Sequence, residues 1–105
     1  MTKQEIDELI QTKLGVMIYF EGTNCSVCSV LKPKIDTMFK ENFSKIERIY
    51  IKADEEPQLS ADFVVFSVPT VLVYLDGKEF MRYSRNISLV QMENDLKRLY
   101  EMLEN

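Results

Sequence analysis

Hydrophobic positions along this chain switch between helical spacing and short unbroken runs, and the switches mark out eight elements. Ile6, Leu9 and Ile10 recur at helical spacing behind Thr2 and Glu5, the pattern of an N-terminal capping box. This predicts a helix over residues 3–12, closed by Gly15. Val16-Met17-Ile18-Tyr19-Phe20 is a continuous apolar run rich in β-formers, as expected of a strand covered on both faces. Glu21-Gly22-Thr23-Asn24 reads as a turn, with Thr23 or Asn24 suited to cap the next helix. Val27, Val30, Leu31, Ile35, Met38 and Phe39 carry that helix to about Asn42, and Pro33 inside it should kink it. Ile46, Ile49 and Ile51 mark a second strand. A short helix starts at Asp54–Pro57 with Leu59 and Phe63 turned inward, and Val64-Val65-Phe66 fits either a helix end or extended chain. Thr70–Leu75 is a strand, and Asp76-Gly77 turns it into an antiparallel partner over Lys78–Ser84. Ser88 and Gln91 form a second capping box, ahead of an amphipathic helix through Leu89, Met92, Leu96, Leu99, Tyr100 and Leu103.

The order is α, then β-α-β-α-β-β-α. It predicts an α/β fold whose middle strands run parallel, joined by helices, with one antiparallel strand added by the hairpin. At 105 residues the chain is expected to be one domain, residues 1–105, with a core that needs no disulfide or metal. Thirteen basic against 17 acidic residues give a net charge of −4, and no Lys/Arg block is present. That excludes a surface built for nucleic-acid phosphates. No apolar stretch approaches the roughly 20 residues that span a bilayer. The first residues are too acidic and polar for a signal peptide, so a cytoplasmic monomer without membrane contact is expected.

The candidate chemistry lies at Cys25-Ser26-Val27-Cys28, which holds the chain's two cysteines. In a reducing compartment such a pair is more often redox-active or metal-binding than structural. At a helix start the first thiol meets open amides and the positive end of the helix dipole, which favours the thiolate. Cys25 would attack a disulfide and Cys28 would resolve the mixed disulfide. Two small buried hydrophobes, or a metal bridging two chains, are the alternatives at this point. A zinc site needs about four ligands, and the chain has two Cys and no His. No metal or organic cofactor is therefore expected.

An apolar strand, a turn, Cys25-Ser26-Val27-Cys28, Pro33 five residues on, Val68-Pro69-Thr70 and the Asp76-Gly77 hairpin together resemble the thioredoxin family over about residues 14–103. The resemblance implies a thioredoxin fold: a four-stranded mixed sheet flanked by helices, here with an N-terminal helix in place of the first strand. It implies a cis Pro69 facing the cysteines, with Val68, Pro69 and Thr70 binding an extended substrate. It also implies reduction of protein disulfides, with a separate thiol-reducing electron donor to regenerate the pair.

The chain departs from the family pattern in six places. Ser26-Val27 replaces the thioredoxins' Gly-Pro, and Asn24 and Glu21 stand where thioredoxins carry Trp. Tyr19 and Tyr50 occupy the positions of the family's buried Asp and Lys, and Arg85 that of a Gly lining the substrate groove. Losing the buried Asp removes the family's expected base for Cys28, since a phenol with a reference pKa near 10 is a poor substitute. Resolution by Cys28 is expected to be slow or to rely on Glu21 or water. A redox-weak binding module and a sensor that forms a sulfenate at Cys25 are the competing functions.

Overall fold

The computed structural model describes residues 1–105. Its elements are α1 (Lys3–Thr12), β1 (Gly15–Glu21), α2 (Ser26–Asn42), β2 (Ile46–Lys52), α3 (Pro57–Asp62), β3 (Thr70–Leu75), β4 (Lys78–Ser84) and α4 (Leu89–Glu104). The four strands form one mixed sheet in the order β2-β1-β3-β4. β1 is central and every one of its residues is buried, as its unbroken apolar run requires.

Period-two alternation on β1 divides the core. Met17 and Tyr19 face α2 and α4, among Cys28, Ile35, Phe39, Met92 and Leu96. Val16, Ile18 and Phe20 face α1 and α3, among Ile6, Ile10, Leu59 and Phe63. A buried layer thus lies on each side of the sheet, and the one that holds Tyr19 is covered by α2, which carries the cysteines.

Strand direction corrects the sequence reading in one respect. β2 runs parallel to β1, but β3 is antiparallel to it, with Phe20 opposite Thr70 and Gly15 opposite Leu75. A parallel crossover must carry the chain back along the full strand. β2 ends with Lys52 opposite Glu21, and β3 begins with Thr70 opposite Phe20, at the same end of β1. The chain leaving Lys52 therefore enters β3 from the same end of the sheet.

Local details also differ. Gly15 is not a helix cap: α1 ends on an extended Lys13, and Gly15 opens β1. A Cβ on Gly15 would meet Leu75 Cδ2 at 2.8 Å, Ile46 Cγ1 at 3.0 Å and the Tyr74 carbonyl at 3.0 Å, so close strand packing is what requires glycine there. The Ser88 cap is one-sided: its Oγ accepts from the Gln91 amide (3.2 Å), while the Gln91 side chain donates to Asp95 instead. Val64 ends α3 with φ 58°, a left-handed conformation rare for a β-branched residue. The Arg82 guanidinium binds the Phe63 and Val64 carbonyls at 2.9 and 2.8 Å and holds that turn.

Candidate active site

The first turn of α2 is built around sulfur. The N-cap is Cys25, not Thr23 or Asn24: its Sγ accepts from the Cys28 amide at 3.2 Å, and its carbonyl accepts from the Ser29 amide at 3.1 Å. Thr23 is used elsewhere, its amide donating to Asp54 and its hydroxyl to Glu55. Hydrogen bonding from Thr23 holds the Asp54 carboxyl below its ordinary pKa. Asn24 is exposed and caps nothing.

Cys25 and Cys28 form a disulfide with their Cα atoms 5.2 Å apart. Cys25 is partly exposed and Cys28 fully buried. An incoming group therefore reaches Cys25 first. The amide that now donates to Cys25 Sγ, together with the helix dipole, would favour a thiolate at that position. α2 continues to Asn42 with Pro33 inside it; the proline lacks the N–H that would bond the Ser29 carbonyl.

Val68-Pro69 is a cis peptide, as the resemblance implied. Gly22 marks how near this segment lies to the cysteines: a Cβ there would be 3.3 Å from both Cys25 Cβ and Val68 Cγ2. Neither the amide nor the carbonyl of Val68 is hydrogen-bonded within the chain. The Pro69 carbonyl accepts from the Arg85 amide at 3.0 Å. Thr70 is 2 % exposed, and its hydroxyl donates to the Ser67 carbonyl (2.7 Å) and meets Ser84 Oγ (3.2 Å). Its side chain thus braces the turn, while Val68 presents free backbone groups.

Beneath the disulfide lies a polar layer between α2 and the sheet. The Tyr19 hydroxyl donates to the Cys28 carbonyl at 2.8 Å, and its ring meets that of Tyr50 edge-on at 6.1 Å. Burial, with a smaller push from the Glu21 charge, raises the Tyr19 pKa to about 12. The phenol is therefore a neutral donor at physiological pH. Tyr50 donates to Asp36; burial, then this bond and charge, push its pKa well above the ordinary tyrosine value.

Glu21 is only 6 % exposed and is paired with Lys32 Nζ at 3.0 Å. Lys32 also lies 4.9 Å over the Tyr50 ring. Glu21 shares Tyr19's face of β1, one step nearer the cysteines. Lys32 and Asp36 were not singled out from the sequence, although Lys32, four residues after Cys28, lies on that cysteine's side of α2. Arg85 has φ 63° and an exposed side chain without a hydrogen-bond or ion-pair partner. The structure thus gathers Cys25, Cys28, Tyr19, Glu21, Val68 and Pro69 around one helix start, and leaves Asn24 at its margin.

Comparison with known proteins gives one consistent result. Residues 1–98 match the family description Thioredoxin. A thioredoxin-like protein, YdfQ, of Bacillus subtilis is 32% identical over 99 residues, covering 94% of this chain and 88% of that protein. A thioredoxin of Rickettsia bellii is 29% identical over 73 residues, 70% of each chain. Among solved structures, thioredoxin 1 from Thermosipho africanus superimposes with a TM-score of 0.76 at 33% identity, over 86% of this chain and 99% of that one.

Proposed function

Because the chain belongs to the thioredoxin family of thiol–disulfide oxidoreductases, we propose that its Cys25–Cys28 pair reduces disulfides in protein substrates, in a reducing cytoplasm. The observation that carries this reading is the pairing of a partly exposed Cys25 with the free amide and carbonyl of Val68 beside it. An extended substrate strand can bond both Val68 groups and bring its disulfide to Cys25.

In the dithiol form the Cys25 thiolate attacks one sulfur of the substrate disulfide. A mixed disulfide forms and the substrate's other sulfur leaves as a thiolate. Cys28 then loses its proton and attacks Cys25 Sγ, releasing the second substrate thiol and closing the Cys25–Cys28 disulfide. Two electrons pass to the substrate, and a dithiol reductase must return them. Tyr19, protonated below about pH 12, orients the Cys28 segment and does not take its proton. Glu21, the buried carboxylate on the same face of β1, is the proton acceptor this reading assigns to Cys28, with Lys32 holding it in place.

A turnover assay on a protein disulfide tests this. Cys25→Ser should abolish reduction, and Cys28→Ser should accumulate the mixed disulfide at Cys25, visible by mass. Dithiol-independent binding without turnover would overturn it in favour of a binding module. Rapid sulfenate formation at Cys25 with peroxide, without protein-disulfide reduction, would favour a sensor.

A further inference from the structure

Alongside the cysteines, between the first turns of α2 and the loop from β4 to α4, runs a shallow groove of about 350 Å³. Its floor is apolar: Val27, Val30, Leu31 and Ile87. Val27 and Val30 are each 61% exposed, an unusual state for two valines one turn apart on a helix in a chain with a well-filled core. Two cations, Lys34 and Arg85, form its rim, and neither side chain has an ion-pair or hydrogen-bond partner. The two arginines within the sheet, Arg48 and Arg82, are by contrast each bonded to a carboxylate and a carbonyl.

Arg85 is fixed in place by its backbone. Its amide donates to the Pro69 carbonyl, its carbonyl accepts from the Ile87 amide at 3.1 Å, and its φ of 63° lies where glycine is favoured. The side chain thus starts from the turn that abuts the substrate-binding Val68-Pro69 segment. Beyond Lys34 the surface between α2 and α4 carries Glu41 and Glu93, so the positive stretch is confined to the end next to the cysteines. On the opposite side of the disulfide, Asp54 and Glu55 bond Thr23. The field across the active site therefore points one way, on a chain of net charge −4.

We propose that Arg85 and Lys34 select protein substrates in which the disulfide is flanked by an apolar residue and a carboxylate, the apolar side chain entering the Val27–Val30–Ile87 groove and the carboxylate meeting the two cations. This rests on the reading of Cys25 and Cys28 as a disulfide reductase. The groove begins at Ser26, the residue after the attacking cysteine, and opposite charges at its rim raise encounter rates and fix orientation more than they tighten binding.

The test compares two peptides identical but for the residues flanking one disulfide, Leu with Glu in the first and Leu with Lys in the second. Neutral hydroxyethyl disulfide is assayed alongside with the wild-type chain. Wild-type kcat/KM should favour the acidic peptide by about fivefold or more at low ionic strength, and the preference should fade near 1 M salt. Arg85→Gly, which suits the left-handed backbone, and Lys34→Gln should each reduce that ratio. Equal or inverted rates in the wild type, or a ratio unmoved by both substitutions, would overturn the selection while leaving the reductase reading intact if hydroxyethyl disulfide is reduced. If hydroxyethyl disulfide is not reduced, the reductase reading fails. The selection is then read from the association rates of the same peptides with serine in place of cysteine, where equal rates at low ionic strength defeat it.

Discussion

Replacing Tyr19 with Phe removes one oxygen from the centre of the fold and should change stability in opposite directions at neutral and alkaline pH. At pH 7 the loss is the 2.8 Å bond to the Cys28 carbonyl, in a side chain with no solvent exposure. That carbonyl, inside α2, keeps its helical partner, and the edge-on ring contact with Tyr50 is retained. The cost should be about 1 kcal/mol, the usual net worth of one buried hydrogen bond. The folded-state pKa of Tyr19 is raised from 10.0 to about 12, so the stabilisation from keeping it neutral is complete below pH 10 and is lost as pH rises towards 12. Two units at 1.36 kcal/mol each make that loss about 2.7 kcal/mol by pH 12. Phe has nothing to titrate. The wild type should therefore be the more stable protein below about pH 10.5, and Tyr19→Phe the more stable above about pH 11, with the curves crossing between. Tyr50, Tyr74 and Tyr83 are also raised, but they titrate in both proteins and cancel in the difference. Urea unfolding of the two oxidised proteins between pH 7 and 11.5 measures this difference directly. A gap that stays constant over the whole range would refute the account of a buried neutral phenol, and a Tyr19→Phe protein equal to wild type at pH 7 would refute the hydrogen-bond part of it.

Glu21→Gln should slow decay of the Cys25 mixed disulfide at pH 7 by roughly tenfold, below the usual general-base range because water can also accept the proton. Stopped-flow measurement of that decay, with an unchanged rate counting against Glu21, checks it. Val64→Gly should stabilise the chain by about 0.5–1 kcal/mol, since it relieves φ 58° at a side chain 62% exposed; a fall in the urea midpoint would contradict this. Gly15→Ala should cost on the order of 2 kcal/mol through contacts at 2.8–3.0 Å with Leu75, Ile46 and Tyr74, again read from urea unfolding, and a neutral result would mean that the strands part easily there.

The elements were legible because the hydrophobic period is strong: the capping box at Thr2, the apolar run of β1 and the Asp76-Gly77 turn each specify local geometry on their own. The direction of β3 was not, because alternation of helices and strands does not say at which end of the sheet a connection delivers the chain, and this one sets Thr70 beside Phe20. Cys25 as the cap was hidden for a different reason. Oxygen-bearing Thr23 and Asn24 are the usual caps, and only the folded chain commits Thr23 to Asp54 and Glu55. The cysteines were marked by their spacing and Val68-Pro69 by the family resemblance, and the folded chain brings Val68 close to Cys25. Asp36 was not, since its bond to Tyr50 depends on the approach of α2 to β2.

The exchange of an acid for Tyr19 has a physical logic once Glu21 and Lys32 are seen together. Position 19 has no solvent exposure, and an ion there would need full compensation for lost hydration. A phenol bonded to the Cys28 carbonyl needs none. Moving two residues along β1 shifts a side chain by about 6.6 Å on the same face, towards the cysteine end of the sheet. There a carboxylate can be paired with Lys32, whose side chain is 41% exposed and so keeps part of its own hydration. The arrangement divides between two residues what one buried acid would have to combine, with Tyr19 ordering the helix start and Glu21 carrying the charge. It follows that the two functions should separate by substitution. Tyr19→Phe should move alkaline stability and leave mixed-disulfide resolution near neutral pH unchanged, whereas Glu21→Gln should slow resolution. If both substitutions slowed resolution equally, Tyr19 would have to be placed in the proton path, against a pKa that keeps its proton bound to about pH 12.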